Sequence, residues 1–170
     1  AFVGLSVQEE ADIFLDVNSN AKPIPPDLLM EIEWASGVES QSNIANGIVF
    51  ELRDNESSCL RELILEAESR ARGKLNRKNI RTALTSLKIL PKNYKDSIFW
   101  DGDIYSTRDK AFNFINESLG EFKKSNLDRW KKKNGVIQDI FMQGMLKVID
   151  RIAILHNGNL KITKEYMDHL

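Results

Sequence analysis

The apolar residues of this chain recur mostly at threes and fours, the spacing that places them on one side of an α-helix. Val7, Ala11, Phe14, Leu15 and Val17 share one face, with Gln8, Glu9, Asp12 and Asp16 opposite. Ser6 and Glu9 precede this stripe at capping-box spacing, at which each side chain satisfies the other's orphan backbone amide. A first helix is therefore expected from Ser6 to near Asn18. The segment Asn18-Ser-Asn-Ala-Lys-Pro-Ile-Pro-Pro26 breaks it, because Pro lacks an amide hydrogen and pushes the preceding residue into extended geometry. Pro25 or Pro26 suits the first turn of a second helix, with Leu28, Leu29, Ile32 and Ala35 as its buried stripe and Gly37 as its stop.

Residues 37–46 are polar and read as a loop, and the apolar run 44–52 fits helix or strand, helix being favoured. Residues 63–65 are equally ambiguous. They precede the basic turn Ser69-Arg-Ala-Arg-Gly-Lys-Leu75, which closes a short hairpin if Leu63 begins a strand. Asn76 offers an N-cap for a helix whose Ile80, Ala83, Leu84 and Leu87 share a face and which Pro91 terminates. Residues 94–105 read as an aromatic loop pinned by Phe99 and Trp100, and Ser106 or Thr107 caps a helix carrying Ala111, Phe114, Ile115, Leu119 and Phe122. The longest helical signal runs over 135–156 through Ile137, Ile140, Phe141, Met145, Val148, Ile149 and Ile152, and Asn157-Gly158 stops it. Thr163 caps a last helix. The first five residues, Ala-Phe-Val-Gly-Leu, read as one strand that starts without Met. One strand makes no sheet, so its partners are expected upstream in the gene or in another chain. The pattern as a whole predicts a mainly α fold.

Composition sets bounds on the chemistry. At 170 residues and 42% hydrophobic, the chain is long enough for one sizeable core. Lys and Arg number 24 against 25 Asp and Glu, a net charge of −1, so attraction to nucleic acid has to come from a local patch. The lone Cys59 has no disulfide partner and no ligand neighbours for zinc, which fits a reducing cytoplasm. No run approaches the roughly 18–20 apolar residues of a membrane span, and no signal-peptide pattern opens the chain. A soluble, cytoplasmic protein without a membrane partner is expected.

Familiar catalytic motifs are missing: no Gly-rich phosphate loop, no His-Glu-x-x-His and no Gly-x-Ser-x-Gly. His156 stands at a helix end and His169 beside the terminus, where a histidine is ordinarily structural or solvated. Asp101 and Asp103 flank a glycine, the composition of a turn more than of a metal site, so no metal or cofactor is assigned. Asp12, Asp16, Glu31 and Glu33 read as solvated helix faces. One cluster carries more. Arg70, Arg72, Lys74, Arg77, Lys78 and Arg81 occur without an intervening acid, and Arg77 and Lys78 fall in the first helical turn after Asn76. Cations there oppose the helix dipole by about 0.3–1 kcal/mol, a conflict that an external phosphate resolves. A solvated basic face is the alternative. A second cluster, Lys123, Lys124, Arg129, Lys131, Lys132 and Lys133, surrounds Trp130, which stacks on a base or, more in keeping with a Trp between helices, buries as an anchor. Trp34 and Trp100 invite the same reading as buried anchors.

The order Leu5-Ser-x-x-Glu9 followed by Phe14-Leu-Asp-Val-Asn-Ser-Asn-Ala-Lys-Pro-Ile-Pro-Pro-Asp-Leu-Leu29 closely resembles the segment after the signature motif in DGQHR-domain proteins. Gly73-Lys-Leu-Asn-Arg-Lys-Asn79 resembles that family's entry into its next helix, and residues 112–130 with Gly135-Val-Ile-Gln-Asp-Ile-Phe-Met-Gln-Gly144 its C-terminal helical part. The resemblance implies the helical C-terminal part of an α/β, ParB/sulfiredoxin-like domain. Residues 1–90 would end the core and 91–170 form a helical extension packed on it as one unit. It also implies bacterial or archaeal DNA-modification and mobile-element systems, with the Dnd-type repressor of DNA phosphorothioation as a relative. Asp-Gly-Gln-His-Arg itself does not occur, so it would lie upstream, and chemistry centred on it falls to no residue here. Asn18, Asn20 and Lys22 are the matched positions expected nearest to it.

Two functions follow from this resemblance. One is a DNA-associated binding or regulatory protein that uses the 70–81 patch, with the 123–133 cluster as a second contact. The other is a ParB-like nucleotide hydrolase or nuclease whose active site lies elsewhere and which this piece supports. A partner protein or second copy docking on the apolar faces of 7–17 and 137–152 is a third possibility.

Overall fold

The computed structural model describes residues 4–19, 24–65, 73–131 and 137–170. Eight α-helices run through them: α1 Val7–Ser19, α2 Pro26–Ser36, α3 Gln41–Asp54, α4 Arg77–Thr85, α5 Ile104–Ser125, α6 Leu127–Lys131, α7 Asp139–Leu155 and α8 Leu160–Asp168. The described residues contain no strand. Of the strand expected over 1–5, residues 1–3 lie outside them and Gly4 sits in a turn. The expected hairpin is replaced by a single parallel bridge between Ile64 and Leu75, in which Leu65 N donates to Leu75 O (2.9 Å) and Leu75 N to Leu63 O (2.8 Å). Its basic turn lies mostly within residues 66–72, outside the described set.

Two helices organise the packing. α3 is buried from Asn43 to Val49 and packs against α2, α4 and α5, while α5 packs in turn against α7 and α8. One apolar cluster results, running from Met30 through Ile44, Ile48, Leu52, Leu84, Ile115 and Leu119 to Ile149 and Met167. Each such side chain contributes about 1.5–3 kcal/mol through burial. Buried amides and carboxylates tie the connections to this core. Asn116 on α5 accepts from Cys59 N (2.8 Å) and donates to Ser57 O (3.1 Å), holding the loop after α3. Asp150 on α7 accepts from Ile89 N (2.8 Å), holding the loop after α4. Gln41 donates to Thr85 O (2.9 Å) and to Leu90 O, joining the start of α3 to the end of α4.

The helix starts differ from expectation where a nearer cap wins. α3 begins at Gln41, inside the expected loop, because Ser40 accepts from Asn43 N (3.1 Å). Asp103, not Ser106 or Thr107, caps α5 by accepting from Ser106 N (2.6 Å). Asn159, not Thr163, caps α8, and Thr163 lies buried one turn in, its hydroxyl donating to Asn159 O (3.0 Å). α7 starts at Asp139, with Gln138 at its N-cap position. The Ser6–Glu9 box forms as expected, with Ser6 N donating to Glu9 Oε2 (2.8 Å) and Glu9 N to Ser6 Oγ (3.3 Å). Gly37 ends α2 in the left-handed region at φ 66°.

Burial departs from the apolar pattern at three helices. Met30 and Asp27, not Leu28 and Ala35, are the buried residues of α2. On α7 the inward face is Met142, Met145, Leu146, Ile149 and Ala153, while Ile140 is 80% exposed. α1 packs on α2, and Val7 and Phe14 keep substantial exposure.

Candidate functional site

The start of α4 gathers the residues of the first basic cluster. Asn76 accepts from Asn79 N (3.4 Å), which sets Arg77, Lys78 and Arg81 on the first turns of a helix amphipathic enough to bury Ile80, Ala83 and Leu84. Arg77 is not a surface cation. It is 2% exposed, its Nε donates to Asp27 Oδ1 (3.2 Å) and its Nη1 to Glu31 Oε1 (3.1 Å). Arg81 Nη2 donates to Glu33 Oε2 (2.5 Å), which also accepts from Asn46 Nδ2 (3.0 Å). Glu31 is exposed, as expected of a solvated face, while it pairs with Arg77; Glu33, expected on that face too, is partly buried and turns with Asp27 toward the arginines of α4. The helix-dipole conflict is further relieved by Asp139 of α7, which accepts from Asn76 N (2.9 Å) and Asn79 Nδ2 (2.6 Å).

What stays outward is lysine. Lys78 is exposed and makes no ion pair among the described residues, and Lys74 is exposed with its ammonium donating to Glu62 O. Arg70 and Arg72 lie outside the described residues, as do Asn20, Lys22, Lys132 and Lys133; Asn18 and Lys131 are described only through their place in α1 and α6. In the second cluster Trp130 is buried against Phe122, ring centroids 6.4 Å apart. Lys123 lies over the Trp130 ring at 5.5 Å and donates to Cys59 O (3.3 Å), Lys124 pairs with Glu121 (3.2 Å), and Arg129 is exposed. Asp101 accepts from Ser106 Oγ (2.7 Å) and pairs with Lys110, which holds its carboxyl down at about 2, and no metal-binding group of acids, His or Cys occurs among the described residues.

A cleft of about 260 Å³ lies between the end of α2, the start of α3 and the start of α5. Trp34 reaches it from α2 and is 36% exposed, not the buried anchor expected. Tyr105, 60% exposed, faces it from α5, and the Arg108 guanidinium carbon lies 5.4 Å from the Trp34 ring centre and 5.7 Å from that of Tyr105. Both distances are within cation–π range. Asp109 Oδ1 accepts from Arg108 Nε (2.9 Å) and Nη2 (2.7 Å). Ile44 and Ile104 are buried on the same wall. Asn43, on this wall, is 8% exposed; its Nδ2 donates to Val38 O (2.9 Å), which leaves Oδ1 buried without a donor. Gly47 makes the arrangement possible, since a Cβ there would stand 2.6 Å from both Trp34 Cζ3 and Arg108 Cδ. Asn43, Tyr105 and Arg108 carried no motif. The signal that points to them is Gly47, a helix-breaking residue inside an apolar helical run, where a close approach is its usual reason.

Set against known proteins, the chain matches no family model, no curated protein and no solved structure. No helix of the described residues is long and apolar enough to cross a membrane.

Proposed function

We propose that this helical unit belongs to a DNA-associated binding or regulatory protein of a bacterial DNA-modification or mobile-element system, and that it meets the DNA backbone through lysines at the start of α4. The family and its α/β, ParB/sulfiredoxin-like context rest on the resemblance of residues 5–29 and 73–79 to DGQHR-domain proteins. The observation that carries the binding reading is the division of charge at α4. Arg77 and Arg81 turn inward to Asp27, Glu31 and Glu33 and fix the helix end, while Lys78 and Lys74 remain outside on that rigid mount. Backbone contacts of this kind position a protein on a duplex without reading sequence.

Fluorescence anisotropy of a labelled duplex over a salt series tests the reading. Affinity is expected to fall linearly in logarithmic terms with salt, and the slope to shrink by about 1.8 in the Lys74→Ala, Lys78→Ala double variant, about 0.9 for each phosphate that is no longer neutralised. Binding that ignores salt, or a slope that the double variant leaves unchanged, would overturn it.

A further inference from the structure

We propose that a second copy of this chain docks through its helix α1 on the outer face of α7. α7 packs on α4, α5 and α8 through the side that buries Met142, Met145, Leu146, Ile149 and Ala153. Its opposite side exposes Val148 and Leu155, the latter 61% exposed, with the exposed Arg151 between them. Both acids of α7 are engaged elsewhere, Asp139 with Asn76 and Asn79 and Asp150 with Ile89 N, so Lys147 and Arg151 give this face its charge. α1 is the reverse. Its charged residues are Glu9, Glu10, Asp12 and Asp16, with no base among them. Val7, 65% exposed, and the partly exposed Phe14 flank the exposed Glu10.

The two faces share one spacing. Val7, Glu10 and Phe14 stand at i, i+3 and i+7 along one side of a helix, and so do Val148, Arg151 and Leu155. Each reads apolar, charged, apolar, and the charges in the middle are opposite. Laid together, the apolar residues meet apolar residues and Glu10 meets Arg151. Either face set against its own copy would bring like charges together, which is strongly unfavourable, so each face excludes itself and selects the other. A DNA phosphate would use Arg151 but offers nothing to Val148 and Leu155. In its own chain α1 packs on α2, so the pairing joins two copies. Because each copy carries both faces, a two-fold axis forms the contact twice. This association goes beyond the DNA reading and does not depend on it.

Sedimentation velocity over about 1–500 μM protein, at low and high salt, tests the pairing. Two helix contacts make a small interface, so the expected result is a weak dimer that grows with concentration and loosens with salt. Glu10→Arg and Arg151→Glu, both at exposed positions, are each expected to weaken self-association by about tenfold or more. Mixing the two variants, or combining both changes in one chain, is expected to restore it, because opposite charges then face each other again. Circular dichroism checks that each variant keeps its helices, and rescue by mixing is a result that a folding defect would not give. A wild type that stays monomeric throughout, self-association that neither reversal weakens, or a mixture that stays monomeric would overturn the proposal. So would a monomer whose Arg151→Glu variant instead loses binding to duplex DNA or to phosphatidylserine vesicles, which would give the face another occupant.

Discussion

Arg77 donates through Nε to the carboxylate of Asp27 at 3.2 Å, and both side chains lie inside the protein where α4 meets α2. Glu31 adds a second, half-exposed partner. Removing one member strands a buried charge, an effect of about 3–5 kcal/mol, whereas apolar replacement of both members is often neutral. Arg77→Ala or Asp27→Ala alone is therefore expected to lower the unfolding free energy by about that amount, and Arg77→Met with Asp27→Leu to recover most of it. Urea unfolding of the two single variants and the double variant checks this.

Gly47 gives a second prediction with an unusual sign. Gly to Ala in a helix interior ordinarily stabilises by about 0.5–1 kcal/mol. Here the added methyl meets Trp34 Cζ3 and Arg108 Cδ at 2.6 Å and Trp34 Cη2 at 2.9 Å, and a ring held against Phe50 has little room to retreat. Gly47→Ala is expected to destabilise by about 1–3 kcal/mol and to shift the Trp34 emission as the ring is displaced. Thermal unfolding and a fluorescence spectrum report both.

Cys59 supplies the pH dependence. Burial pushes its thiol up to about 12 from an ordinary 9.0, with the Lys123 ammonium pulling the other way. The folded protein keeps a proton that the unfolded chain releases near 9.0, so stability held below pH 9 is lost as pH rises toward 12. The loss from this group is at most about 1.4 kcal/mol per pH unit. Comparing unfolding of wild type and Cys59→Ala below and above pH 9 isolates it: wild type is expected to lose more. Alkylation of the native thiol is expected to be slow for the same reason.

The helical character, the Ser6–Glu9 box, the Pro26 start and Gly37 stop of α2, the Asn76 cap and the Asn157-Gly158 stop were legible because each depends on residues within one turn of chain. Cap competition was less so: Asp103 and Ser106 are both good caps, and Asp103 is the one that caps α5, with Ile104 and Thr107 buried in its first turn. The fate of the basic cluster was not legible at all. Asp27 and Glu31 are 50 and 46 residues from Arg77 in sequence, and nothing local shows that α2 lays its acids against α4. The cleft escaped for the same reason, since Trp34, Asn43 and Arg108 come from three helices. Gly47 hinted that something large lay against α3 without naming it.

Lys78 is where stability and function pull apart. As the second residue of α4 it opposes the helix dipole, so Lys78→Glu is expected to leave the melting temperature unchanged or raise it, a gain of about 0.3–1 kcal/mol. The same change places a negative charge where a phosphate is proposed to lie. The most direct measurement is duplex affinity of Lys78→Glu at low salt, with thermal unfolding of the same sample. Affinity is predicted to fall about tenfold or more in a protein at least as stable as wild type. Unchanged affinity in that stable variant would contradict a DNA-binding role for this helix end.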